Sequence, residues 1–111
     1  MEINGIELEL DIFDADVMAA YEQELATVAA QGEALQKQAG LSAAASIRAQ
    51  CRLIADFFDH LFGEGTAQRL FGEKQHLLHS LDAFEALLAD LGEKQAQAGQ
   101  RWQAYEKGQG R

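Results

Sequence analysis

The stretch KQHLLHSLDAFEALLADLGEKQAQAGQRWQAYEK, residues 74–107, decides how this chain folds. Within it Leu77, Leu81, Phe84, Leu88, Leu91, Gln95, Ala98, Trp102 and Tyr105 recur at spacings that alternate four and three. Residues so spaced share one face of an α-helix. The spacing predicts a long amphipathic helix that begins near Lys74. Gly92 and Gly99 each cost about 1 kcal/mol relative to alanine. The helix is therefore expected to be firm to Leu91 and weaker beyond. A helix with one apolar face needs partners to bury it, and two more stripes lie upstream.

The first runs through Met18, Tyr21, Leu25, Val28, Gly32, Leu35 and Ala39. Asp14 is placed to cap this helix, Asp16 suits its first turn, and Gly40 suits its end. Glu33 and Lys37 form a favourable i,i+4 pair on it. The second stripe is Ala44, Ile47, Cys51, Ile54, Phe58 and Leu61, with Ser42 as its cap and Gly63 as its stop. Between Gly63 and Gly72, Thr66 as N-cap and Gly72 as terminator bracket one or two further turns. Upstream, Ile6, Leu8 and Leu10 alternate with Glu7 and Glu9, the period of a half-buried strand. Asn4-Gly5 is a two-residue hairpin signal, and so short a hairpin must dock on helices or on another chain. The expected fold is mainly α: an antiparallel three-helix bundle with a short extra helix and a short N-terminal β-strand or hairpin. Residues 1–107 form one domain and residues 108–111 a frayed tail.

Composition agrees. The chain has 111 residues, 48% apolar and 24% charged, with no proline. No apolar run approaches the length of a membrane span, so no membrane role is expected. The opening residues lack a basic and apolar leader, and Cys51 is the only cysteine, so a reducing cytoplasm is the expected compartment. Net charge is −9. Residues 1–36 hold nine acids and no base, whereas residues 37–111 hold nine of each. An acidic face of this kind repels phosphate backbones, which excludes nucleic acid as the expected partner. It either keeps the chain soluble or steers a basic protein toward it.

Catalytic chemistry is not legible. His76 and His79 have a spacing that metals use, but no glutamate motif accompanies them and Cys51 lies on another helix. No nucleophile elbow or phosphate-binding glycine loop is present. No enzyme, cofactor or metal is expected. The densest apolar segment is Phe57 to Gly72, with Phe57, Phe58, Leu61, Phe62, Leu70 and Phe71 around a glycine-rich bend. One helical face does not accommodate both Phe57 and Phe58. Either the short helix closes the core with these side chains, or they form a patch for a partner protein. Trp102 and Tyr105 extend the last stripe beyond the other helices. They need another copy, a different protein or a folded-back tail to pack on.

Ile3-Asn4-Gly5-Ile6-Glu7-Leu8, Asp14-Ala15-Asp16, Tyr21-Glu22, the block from Phe57 through Gly72 and Leu81-Asp82-Ala83-Phe84-Glu85 together resemble a known group. They are similar to short prophage proteins of Gram-positive bacteria encoded among siphophage tail genes, over roughly Ile3 to Leu91. Size, acidity and helicity are similar to those of tail assembly chaperones. The resemblance implies a non-enzymatic protein of the host cytoplasm that masks a helical tape-measure client until tail-tube subunits replace it. It implies a tape-measure or tube protein as partner, besides self-association. The partner-binding residues are then Phe57, Phe58, Phe62, Leu70, Phe71, Trp102 and Tyr105. The alternatives are a structural tail or head-completion protein retained in the virion and a generic helical adaptor. A small type VII secretion substrate would carry a Trp-x-Gly bend, and the only tryptophan, Trp102, is followed by Gln103-Ala104.

Overall fold

A computed structural model describes residues 1–109. In chain order it contains β1 (Glu2–Ile3), β2 (Ile6–Glu7), α1 (Ala15–Lys37), α2 (Ala43–Phe62), α3 (Thr66–Phe71) and α4 (Leu77–Gln109). The chain is a helical bundle with a short extra helix and an N-terminal antiparallel hairpin, as its patterning predicts.

The hairpin follows from Asn4-Gly5. Both residues have positive φ, 52° and 78°, which a type I′ turn requires and glycine and asparagine tolerate best. Glu2 pairs with Glu7 and Ile3 with Ile6. Met1 and Leu8 continue the pairing, with Leu8 N–H donating to the Met1 carbonyl at 2.7 Å and the amino terminus donating to the Leu8 carbonyl at 2.8 Å; the predicted strand through Leu10 is nonetheless shorter than its alternation suggested. The alternation still reports burial, because Leu8 and Ile12 enter the core while Glu7 and Glu9 face water. Asn4 also fastens the hairpin to the helices: its Nδ2 donates to the Leu70 carbonyl at 3.1 Å.

Caps set most of the helix ends. Asp14 accepts from the backbone N–H groups of Asp16 and Val17 at the start of α1. Ser42 accepts from Ala45 at the start of α2. The end of α1 comes earlier than Gly40, because the chain leaves the helix at Gln38 in an extended conformation. Thr66 is not the cap of α3. Gly65, at φ 92°, occupies that position, and the Asp59 side chain reaches across from α2 to accept from Ala67 N–H at 2.8 Å. Thr66 is fully buried and donates its hydroxyl to the Gly63 carbonyl at 2.7 Å. α4 begins at Leu77, three residues after the expected Lys74, with His76 Nδ1 accepting from His79 N–H.

α2 is the central element and packs against α1, α3 and α4. α1 runs antiparallel to it, so Tyr21 meets Phe57 near one end and Gly32 meets Leu53 nearer the other. α3 turns back along α2. The link after Gly72 then brings Ser80 beside Cys51 and Phe84 beside Phe57, and α4 proceeds in the direction of α2. The core gathers Ile3, Leu8, Ile12, Tyr21, Ile54, Phe57, Phe58, Leu70, Ala83, Leu87 and Leu91.

α4 buries a different line from the one its spacing suggested. Ser80, Ala83, Leu87 and Leu91 are buried, while Leu81, Phe84 and Leu88 are half-buried at the side. The cause is the N-terminal segment, which covers a second flank of α4 and displaces the centre of the buried stripe. Lys94 stands near this segment. It pairs with Asp90 at 3.0 Å, within the fields of Glu9 and Glu7.

Helix α4 continues unbroken through Gly92 and Gly99 to Gln109. Residues 108 and 109 of the expected tail fall within this helix. Residues 110 and 111 of that expected tail lie outside the described residues. The long helix makes the molecule 64 × 32 × 23 Å, with a radius of gyration of 17.2 Å. A compact chain of this length would have a radius near 13 Å.

Candidate functional site

The titratable side chains that suggested chemistry have structural partners. The His76 and His79 rings stack at 3.8 Å over the first turn of α4. His60 pairs with Glu24 and ties α2 to α1. Cys51 is buried. Among the described residues no three His, Cys, Asp or Glu side chains cluster as metal ligands. Among the described residues no helix is long and apolar enough to cross a membrane.

The aromatic block divides in a way that one helical face did not foresee. Phe57 and Phe58 are 2% and 0% exposed, and Leu70 is also buried. These three belong to the core and are not presented to a partner, which corrects the expectation of a surface patch. α2 is covered on more than one side. Phe57 makes edge contacts with Tyr21 of α1 and Phe84 of α4, at 6.4 and 5.0 Å. Phe58 packs with Phe62 and with Phe71 of α3, at 6.1 and 5.9 Å. Phe62 and Phe71 are half-buried against the core, so each leaves only an edge for a partner.

Trp102 and Tyr105 behave otherwise. They are 70% and 60% exposed, one turn apart, with ring centroids at 6.1 Å. Leu91 is the last fully buried residue of α4, and Ala98 is half-buried. Eleven residues separate Leu91 from Trp102, close to three full turns, so Trp102 extends the face that Leu91 buries. Of the described side chains from Gln95 to Glu106 all but Ala98 are exposed, so this segment is an overhang of about 18 Å beyond the bundle. An isolated helix of this length is marginal in water, and a glycine at position 99 weakens it further.

The other end of the molecule carries the converse feature. α1 and α2 extend past the start of α4, and between them opens a cleft of about 180 Å³. It is lined by apolar side chains of α1, α2 and α4, among them Val28, Leu53, Leu81 and Phe84, and by the polar Gln36, Ser46 and Gln50, with Gly32 on the α1 side. Sequence reading missed this cleft. Its signal was the first and second stripes running on opposite the link between Gly72 and Leu77, where no third stripe faces them. Eight of the nine acids in residues 1–36 are exposed, all but Glu24.

The overhang with Trp102 and Tyr105 and the cleft at the far end leave apolar area uncovered, as do Phe13 and Leu78, which are also largely exposed. No curated protein and no solved structure matches this chain. A family model described as a family of unknown function, DUF6673, matches residues 4–111, and the chain belongs to that family.

Proposed function

We propose that this protein is a non-enzymatic assembly chaperone of a siphophage-type tail. It acts in the host cytoplasm and holds a helical tape-measure client through the α4 overhang. One observation carries the reading: Trp102 and Tyr105 stand exposed on an unsupported helix, in line with the buried stripe of the same helix. Amphipathic helices recognise one another by such i, i+3 anchors, and tryptophan and tyrosine dominate the energetics of protein contacts. The client's apolar stripe would cover the overhang as Leu91 is covered inside the bundle. The acidic N-terminal third would steer basic segments of the client and keep the loaded complex soluble. Phe62 and Phe71 stand at the margin of this reading, and Phe57, Phe58 and Leu70 leave it.

The test is affinity purification of the tagged chain from induced host cells, with mass spectrometry of the co-purifying proteins. Expected is a long helical tape-measure-like protein, lost when Trp102 and Tyr105 are both changed to alanine, with the tag absent from finished particles. Stoichiometric recovery in purified virions would instead identify a structural tail protein.

A further inference from the structure

The buried line of α4 carries one polar side chain. Ala83, Leu87 and Leu91 are apolar, whereas Ser80, 3% exposed, brings a hydroxyl. Its backbone N–H donates to the His76 carbonyl, but its hydroxyl has no partner among the described residues and is not sealed from solvent. Buried polar groups are nearly always bonded, so an orphan at such a position asks for a partner. Ser80 lines a cleft of about 420 Å³ between α2, α3 and the link before α4. Small-molecule sites hold about 300–1,000 Å³. Cys51, 5% exposed and the only cysteine, lines the same cleft.

The charged side chains on this cleft are Arg52, Lys74, Asp59 and Glu73. Two are cations and two are anions, and none is ion-paired within the chain among the described residues. Asp59 spends only Oδ1, on Ala67 N–H. A purely anionic guest meets two carboxylates and a purely cationic guest meets two cations, so each is opposed. A guest with both an ammonium and a carboxylate answers both signs. That pattern is the amino-acid zwitterion. A metal ion is not indicated, since among the described residues no three ligand side chains cluster.

We propose that this cleft takes a small zwitterionic disulfide of the amino-acid class, such as cystine, and that Cys51 exchanges with it to form a mixed disulfide. The Cys51 thiolate attacks one sulfur of the guest. The new S–S bond forms as the guest's own S–S bond breaks. Cys51 is oxidised. The departing half is reduced: it leaves with the electron pair as a thiolate and takes up the proton that Cys51 gave up. Arg52 and Lys74 hold the guest's carboxylates, Asp59 and Glu73 hold its ammonium groups, and the Ser80 hydroxyl gains an acceptor. Excess thiol reverses the adduct, which meanwhile caps the sulfur against irreversible oxidation. The inference does not rest on the client reading, because it uses neither Trp102 nor Tyr105.

The test uses the reduced full chain, three disulfide probes and the intact mass. Cystine is zwitterionic, cystamine carries only ammonium groups, and dithiodiglycolate carries only carboxylates. Each probe's rate is divided by its rate with the same chain unfolded in urea, which removes the probe's own reactivity. Expected is an adduct of one half-cystine. The normalised rate for cystine is expected to exceed the other two by about tenfold or more, as one charged hydrogen bond supplies. Arg52→Gln/Lys74→Gln, at two exposed positions, is expected to erase that preference. Ser80→Ala is expected to slow cystine severalfold, with the circular dichroism unchanged. The proposal is overturned if Cys51 of the folded chain stays unmodified, if the three normalised rates agree, or if the double variant keeps the preference. It also fails if the rate does not rise with cystine concentration, because modification then waits on opening of the core.

Discussion

Replacing Phe58 with alanine tests the division between core and overhang most sharply. Phe58 has no exposed surface and links α2 to α3 through Phe71, while also touching Phe57 and Phe62. Removing a buried phenylalanine costs about 3–5 kcal/mol, from lost transfer free energy and from the cavity that remains. A domain of this size has about 6–16 kcal/mol in total. The loss is therefore a large fraction, and the thermal midpoint is expected to fall by more than ~12 °C. Phe58→Leu keeps most of the volume and is expected to cost on the order of 1–2 kcal/mol. Trp102→Ala, at a site 70% exposed, is expected to stay within about 0.5 kcal/mol. Urea unfolding followed by circular dichroism measures all three, with the slope compared to confirm that the transition is of the same kind. If Phe58→Ala loses less than about 1 kcal/mol, or Trp102→Ala loses as much as Phe58→Ala, the assignment of these aromatics is wrong.

Asp59→Ala removes the acceptor for Ala67 N–H and is expected to cost about 1 kcal/mol by urea unfolding, with Asp59→Asn retaining most of it. Deleting residues 96–111 removes no fully buried side chain among the described residues, so the thermal midpoint is expected to move by no more than ~4 °C; a collapse of cooperativity would show that the overhang supports the bundle. Stability is expected to decline as pH rises above about 10. Burial raises the Tyr21 phenol above its ordinary value, and hydrogen bonding to Asp90, aided by the charges of Asp90, Glu9 and Glu7, raises the Lys94 ammonium. Both groups hold their proton more tightly when folded, so their contribution is full below the unfolded values and is lost as pH passes the folded ones. Unfolding midpoints measured from pH 8 to 11 check this, and Tyr21→Phe is expected to flatten the decline.

The proposed roles divide the helix α4 between two tasks. Up to Lys94 it is a wall of the bundle, held by Ala83, Leu87 and Leu91 and by the ion pair with Asp90. Beyond that point it is a lever with two aromatics near its end. A chaperone that must release its client benefits from such a design. The proposed binding face lies outside the cooperative core, so its occupancy would not depend on unfolding, and a small contact would keep the exchange reversible.

Local chemistry was readable from the amino acids alone. Asn4-Gly5 specified the hairpin, because few other pairs take positive φ twice. Asp14 and Ser42 specified two helix starts, because their side chains satisfy backbone N–H groups a few residues away. The stripe of the first helix agreed with its buried and half-buried side, because one partner covers one face. What spacing did not reveal depended on neighbours distant in sequence. Phe57 and Phe58 are both buried because α1, α3 and α4 surround α2, and no single-face argument counts a second cover. The buried line of α4 shifted toward Ala83 and Leu87 because the segment from Ile3 to Ile12 occupies its other flank. Asp59 caps α3 across a bend, a hydrogen bond between different elements that leaves no periodic trace. The cleft beside Gly32 exists because α4 enters opposite the middle of α2. Periodicity reports which way a side chain points from its own helix, and only the packed chain decides where each helix begins to be covered and where the cover ends.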